Sequence, residues 1–298
     1  MNKIFILLFL VFAHLTYSCK NNVNEKANEL KEWKLQGPVK SLSETDYSKS
    51  GKFKAFLLFN PAGFILEQTT FNPDGSLIRK WKYTYSQTNQ RLTRSTYVLK
   101  DSLSAILYYT YNQNGKIKDE KQLTSSGSLV SNIEHRYDNN LNEIEQIIKD
   151  DGGKTQRLVQ NKFDKRNSLI EEVQLDSIAH QNGKNRYTYN DDGLIVEMVS
   201  LSLQDGLIKR STYTFLDNRL VGEAKTYNSE NQLTSKIIYN YDKEGNITLK
   251  QTFNPLGVTE AKLSFTYTYD NYNNWTMRYE YLNDQVNDII SRKLEYYK

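Results

Sequence analysis

Hydrophobic and polar positions alternate along most of this chain, and aromatic residues punctuate the alternation at a fixed interval. Phe59, Tyr85, Tyr111, Tyr137, Phe163, Tyr189, Phe215 and Tyr241 stand 26 residues apart without a slip. An unbroken period of that length means one supersecondary unit copied along the chain. Turn chemistry follows each of these aromatics, as in Tyr111-Asn112-Gln113-Asn114-Gly115 and Tyr241-Asp242-Lys243-Glu244-Gly245. Asn or Asp opens such a turn by side-chain capping, and Gly takes the left-handed position. Where Gly is missing, Asn89, Asn140, Asn167 or Asn218 stands nearby. A looser turn series follows 12 residues later, as in Phe71-Asn72-Pro73-Asp74-Gly75 and Phe253-Asn254-Pro255-Leu256-Gly257. Each unit therefore predicts a β-hairpin, and the array predicts roughly 18–20 strands of about 8 residues, or ~27 Å, each.

Alternation also predicts faces. Spacings of 12 and 14 are both even, so odd-numbered residues are expected on one face throughout. That face carries Tyr83/Tyr85, Tyr109/Tyr111, Tyr187/Tyr189, Tyr213/Phe215, Tyr239/Tyr241 and Tyr267/Tyr269. The other carries Thr, Ser, Lys and Arg. In an acidic row, Glu67, Asp119, Glu145, Glu171, Glu197 and Glu223 each fall eight residues after a ruler aromatic. If residues 59 and 65 pair across their turn, each acid is expected opposite the residue two before the ruler, giving Tyr109–Asp119, Tyr187–Glu197 and Tyr213–Glu223 pairs on the aromatic face. A sheet with one tyrosine-rich face must cover that face, and a long twisted sheet does not stay flat. The expected architecture is an all-β antiparallel meander in a curled open shell or superhelical ribbon, with a closed barrel as the alternative.

The units resemble the YD repeats of the Rhs family, with the core Tyr-x-Tyr-Asp-x-x-Gly-x-Leu/Ile. Residues 187–195 (YTYNDDGLI) and 239–247 (YNYDKEGNI) match it well, whereas His135-Arg136-Tyr137-Asp138 and Asn161-Lys162-Phe163-Asp164 keep only part. The likeness spans residues 38–297. It implies a long antiparallel sheet that curls, in the manner of the shell that large Rhs proteins build around a toxin. At 298 residues this chain is far too short to enclose one. Short lipoproteins of this kind, ending in a segment like 269–275 (YDNYNNW), are similar to ones of Bacteroidota.

Composition shifts the picture toward a wet surface. Hydrophobic residues make up 38%, and 22 Tyr outnumber 12 Phe and 3 Trp. Tyrosine suits a half-solvated surface better than a dry core. The net charge of +4 is small and both signs are interspersed, so no nucleic-acid footprint is present. Residues 1–18 read as a signal peptide: Lys3 precedes an apolar run from Ile4 to Ala13, too short to span a membrane. The sole cysteine, Cys19, stands at the cleavage position and resembles the acylated cysteine of bacterial lipoproteins. That resemblance implies a palmitate-type lipid anchor, and Lys20 after it favours the outer membrane, in its periplasmic or surface-facing leaflet. Residues 19–36 read as the acylated Cys and a polar tether with a helical turn near 27–30, and residues 37–298 as the repeat domain.

Catalytic chemistry has little support in the sequence. The mature chain has His135, expected opposite Glu145, and His180, and no nucleophile–His–acid constellation. Asp- and Asn-rich turns are explained by turn formation, so no metal or cofactor is expected. The paired tyrosines form a candidate platform for a glycan or a surface-protein partner. Asp101-Ser102-Leu103 and Asp176-Ser177-Ile178 resemble an Asp-Ser/Thr-apolar O-glycosylation motif of Bacteroidota, marking Ser102 and Ser177. The resulting expectation is a monomeric, non-enzymatic envelope lipoprotein with a binding or scaffolding role. The alternatives are a glycan-binding accessory protein using the Tyr-rich face and a glycoside-type hydrolase using the acidic row. Function is expected where the ruler fails, around His135, Asn161, residues 175–183 and the slip before Tyr269.

Overall fold

The computed structural model describes residues 28–47, 52–98, 100–177 and 183–298. One short helix, α1 (Glu29–Glu32), precedes twenty strands. These are β1 (Val39–Asp46), β2 (Phe53–Phe59), β3 (Ile65–Phe71), β4 (Leu77–Tyr85), β5 (Arg91–Val98), β6 (Ser102–Tyr111), β7 (Ile117–Thr124), β8 (Leu129–Tyr137), β9 (Glu143–Asp150) and β10 (Thr155–Phe163). The second half comprises β11 (Leu169–Asp176), β12 (Gly183–Tyr189), β13 (Ile195–Leu201), β14 (Leu207–Phe215), β15 (Val221–Tyr227), β16 (Leu233–Tyr241), β17 (Ile247–Phe253), β18 (Thr259–Tyr269), β19 (Trp275–Leu282) and β20 (Gln285–Tyr296).

Every strand pairs antiparallel with its sequence neighbours, and β20 pairs with β1 through Leu294↔Leu42 to Ile290↔Asp46. The meander is therefore a closed barrel, which corrects the expectation of an open shell or ribbon. Accumulated twist and coil bring the first and last strands together, and closure satisfies backbone groups that two open edges would expose. Among the described residues the extensive strand–strand contacts all run between neighbours around the barrel. Barrels of this strand number are too wide for side chains to fill and leave an aqueous lumen.

The turns at the ruler edge follow the sequence logic. Asn60 Oδ1 accepts from the backbone N–H of Ala62 and Phe64 at 3.0 Å each, and Gly63 takes the left-handed position. Asn89 and Asn167 fill that position where Gly is missing, but in two other turns it falls to Leu141 and Arg219, beside the expected asparagines.

Face assignment differs from the sequence expectation because each turn is followed by a β-bulge. Phe59 pairs with Ile65 as expected, yet Leu58 then pairs with Glu67, skipping one residue. The same shift gives Thr110↔Asp119, Thr188↔Glu197 and Thr214↔Glu223. Directly opposed residues share a face, so the acids lie with the threonines, on the face away from Tyr109, Tyr187 and Tyr213. A second bulge at the looser turns, as between Thr70 and Phe71, restores parity before the next ruler aromatic. Odd residues hold the aromatic face in even-numbered strands, and even residues hold it across the middle of their neighbours.

The aromatic face points inward. Leu42, Leu57, Phe59 and Ile65 on that face form a core with Leu30, Leu35 and Val39, and Tyr83, Leu294 and Tyr296 pack against it. The residues read as the end of a tether thus enter the barrel mouth as α1. Asn28 caps the helix, Leu30 N–H donates to the Gly63 carbonyl, and Lys34 Nζ reaches the Gly245 carbonyl on β16–β17. Gln36 exchanges hydrogen bonds with the Asn274 amide at 2.7 and 2.9 Å. A side chain at Gly63 would collide with Asn28 and Leu30, so glycine there admits the helix as well as the turn.

Candidate functional site

Ten of the eleven candidate tyrosines separate into two sets, and Tyr269 stands apart. Tyr85, Tyr111, Tyr189, Tyr241 and Tyr267 donate their hydroxyls to the carbonyls of Ile65, Arg91, Leu169, Val221 and Ile247 at 2.6–2.9 Å, each 20 residues back. Tyr137 does the same to Ile117. At this edge a turn joins each even strand to the strand after it, and the phenol joins it to the strand before. The ruler is therefore a row of stitches that ties strand ends no turn connects. Tyr267, 26 residues after Tyr241, continues the row, while Tyr269 instead bonds Asp242. Phe163 has no hydroxyl, and Asn161 Nδ2 donates to the corresponding Glu143 carbonyl at 2.9 Å.

The second set, Tyr83, Tyr109, Tyr187, Tyr213 and Tyr239, lies two residues deeper and forms the interior wall. Burial pushes the phenols of Tyr83, Tyr187 and Tyr239 up to about 12. Along β4–β6 this wall is richest. Arg79 and Arg94 lie 4.0 and 5.1 Å from the Trp81 ring, and Arg91 lies 4.6 Å from Tyr83 and 5.9 Å from Tyr109. Glu29 of α1 pairs with Arg91 and accepts from Tyr85 and the Ile65 N–H. Sequence reasoning missed the arginines. Arg79 shares parity with Trp81 and was legible, but Arg91 and Arg94 straddle a bulge-shifted register.

His135 occupies the position that tyrosine holds in regular units. It faces Gln146, not Glu145 as expected; Arg136 opposes Glu145. Its ring lies 2.6 Å from Glu143 and 3.2 Å from Glu120, with the side chain 6% exposed. Burial opposes its charge, but hydrogen bonds and the charges of both glutamates prevail and push the imidazole up to about 9. At neutral pH it is a cation and no general base. A second polar cluster lies at the β19–β20–β1 seam. Arg292 pairs with Glu44 at 2.9 Å and sits 3.6 Å from the Trp275 ring. Burial, with a hydrogen bond and the charge of Asp46, raises Asp288 to about 6. Two carboxyls sharing a proton are too close for the ~5 Å or wider gap of glycoside hydrolysis, and the acidic row lies outside the barrel.

Outside, four of the six row acids are paired with cations (Arg136–Glu145, Lys162–Glu171–Arg186, Arg210–Glu197, and Glu223 with Lys225 and Lys236), while Glu67 and Asp119 accept from Thr69 and Thr110. A groove of about 690 Å³ on this side near the far edge is lined by Phe56, Thr69, Phe71 and Lys80, with Asp101 at its rim. Ser102 and Ser177 are exposed beside the far-edge turns, Ser102 Oγ donating to Val98 O and Ser177 Oγ to Gln156 Oε1. Cys19, residues 1–18 expected as a signal peptide, and His180 lie outside the described residues. Among the described residues no group of three or more metal-ligating side chains occurs, and no helix is long and apolar enough to cross a membrane.

No protein-family model matches the chain, and no curated protein matches it. Among solved structures it is similar to a porin-like protein from Bacteroides uniformis, at 12% identity over 87% of this chain and 98% of that one, with a TM-score of 0.42. A porin-like protein from Bacteroides vulgatus matches at 10% identity over the same shares, with a TM-score of 0.31. The TcdB2–TccC3–Cdc42 structure matches at 11% identity over 78% of this chain but 15% of that chain, with a TM-score of 0.29.

Proposed function

We propose that the protein is a non-catalytic lipoprotein of the cell envelope whose barrel interior binds a saccharide. The observation that supports this most is the division of its two faces. The outer face carries ion pairs on strand after strand, and placing Arg or Lys against hydrocarbon costs about 2–4 kcal/mol each at the bilayer midplane. The inner face carries Trp81 and a row of tyrosines, which offer flat apolar area with polar handles. The regular tyrosines stitch the edge, so the binding surface is the deeper row, apart from Tyr239, which is buried.

Acylation of Cys19 would fix the orientation. Asn28 lies at the ruler edge, and the nine residues from Cys19 to Ala27 span at most about 30 Å. The α1-filled mouth then faces the membrane and the far-edge turns face away. Fatty-acid labelling of the expressed protein, lost in Cys19→Ser, tests the anchor. Binding of a neutral oligosaccharide panel to detergent-free protein tests the interior. The expected result is millimolar or tighter binding that Tyr187→Ala weakens while the melting transition persists. No binding to any member, or aggregation without detergent, would overturn the reading.

A further inference from the structure

Arg79 and Arg94 are two inward-facing cations that share one aromatic ring, whereas Arg278, likewise without an ion pair among the described residues, lies alone over Phe265 and Trp275. Among the inward-facing acids, Glu29 pairs with Arg91 beside β4–β6, Glu120 with His135 on β7–β8, and Glu44 with Arg292 at the β20–β1 seam. Arg157 has Asp176, 3.9 Å away. Neither Arg79 nor Arg94 makes an ion pair with any described residue, and Arg94 Nε is buried without a hydrogen-bond partner. Both instead lie against the Trp81 ring, at 4.0 and 5.1 Å from its centroid. Gln68 and Thr96 sit directly across from Trp81, and Thr70 across from Arg79. Two guanidinium groups, one aromatic ring and three neutral hydrogen-bonding side chains thus share one patch of wall.

We propose that this patch is a subsite for a carboxylate-bearing saccharide, such as a uronic acid unit. The inference rests on the saccharide reading above and adds the charge of the ligand and its location. A guanidinium presents parallel N–H donors that match a carboxylate fork to fork. The rim of Trp81 and the neighbouring Tyr83 supply area for the ring carbons, and Gln68, Thr70 and Thr96 supply partners for hydroxyls. Two neighbouring arginines without acidic partners, Arg94 partly buried and Arg79 exposed toward the interior, attract an anion more strongly than the outer surface, where the cations are already paired with acids.

Calorimetric titration of the mature protein at low salt with trigalacturonate, neutral trigalactose and inorganic sulfate tests the proposal. Trigalacturonate should bind at least tenfold more tightly than trigalactose, and sulfate weakly. Arg79→Gln/Arg94→Gln should reduce trigalacturonate affinity at least tenfold and leave trigalactose unchanged. If the glutamine variant fails to fold, Arg79→Lys/Arg94→Lys keeps the charge and loses the fork, with a severalfold loss expected. Equal binding of the two trisaccharides overturns the charge assignment and leaves the saccharide reading standing. Binding of neither overturns both. Sulfate binding as tight as trigalacturonate overturns the saccharide part, and unchanged affinity in both variants overturns the location.

Discussion

The stitch between Asn161 and Glu143 allows the role of the ruler to be tested at one of the phenylalanines, Phe163, that interrupt its tyrosines. In six units a phenol donates to a carbonyl 20 residues back; at Phe163 the Asn161 amide takes that role at 2.9 Å. A neutral hydrogen bond contributes about 0.5–1.5 kcal/mol net, and an orphaned acceptor costs about 1–3 kcal/mol when buried. Asn161 is an imperfect substitute, because its Oδ1 is buried without a partner. Removing the amide therefore loses a bond but also relieves one orphan, so Asn161→Ala should cost only about 0.5–1 kcal/mol. Phe163→Tyr in that background restores the phenol seen at Tyr189, whose hydroxyl lies 2.7 Å from Leu169 O. The double variant should match or exceed the parent protein, giving a coupling of about 1 kcal/mol between the sites. Urea denaturation of the four proteins, followed by tyrosine fluorescence and circular dichroism, measures it. Equal cost of Asn161→Ala with Phe or Tyr at 163 would refute the view that both side chains serve one carbonyl.

Three further outcomes follow from the titrating and buried groups. His135 is raised from 6.5 to about 9, so its contribution is complete below about pH 6.5 and is lost as pH rises through 9; after solvent screening it amounts to about 1–2 kcal/mol. His135→Tyr should remove that pH dependence of the urea midpoint, and a midpoint flat from pH 6 to 9.5 in the parent contradicts the assignment. Asp288 is an acid raised from 3.8 to about 6 by burial and by Asp46, so it binds its proton more tightly folded than unfolded, and the barrel loses stability between about pH 4 and pH 6. Asp288→Asn should stabilise the protein by about 1 kcal/mol at pH 8 relative to its effect at pH 4, read from melting temperatures at both values. Glu29→Gln leaves Arg91 half-buried without its partner, and a loss of about 2–3 kcal/mol confined to α1 should expose residues 28–36 to limited proteolysis. Cleavage no faster than in the parent would place the anchoring of α1 elsewhere.

The repeat, its two turn series and the number of strands were legible because they depend on local chemistry. Asx capping at Asn60 or Asp164 and the left-handed site at Gly63 are properties of a few consecutive residues. Face assignment was not legible, since it depends on a count that turns conceal. Tyr189 pairs with Ile195 and Thr188 with Glu197, so one residue is passed over and every later side chain changes face until the next bulge. The two flips cancel over 26 residues, which is why the tyrosines keep their face while the acids between them do not. The acids consequently meet lysine, arginine and threonine outside, and the interior charge comes from residues with no period: Arg79, Arg94, Glu29 and His135. Closure was hidden for a related reason, because β1 precedes the first ruler aromatic and β20 follows the last, so neither carries the repeat that would mark it as a partner. Periodicity therefore reports what every unit must do to hold the wall, and the chemistry specific to this protein lies in the inward positions that no unit repeats.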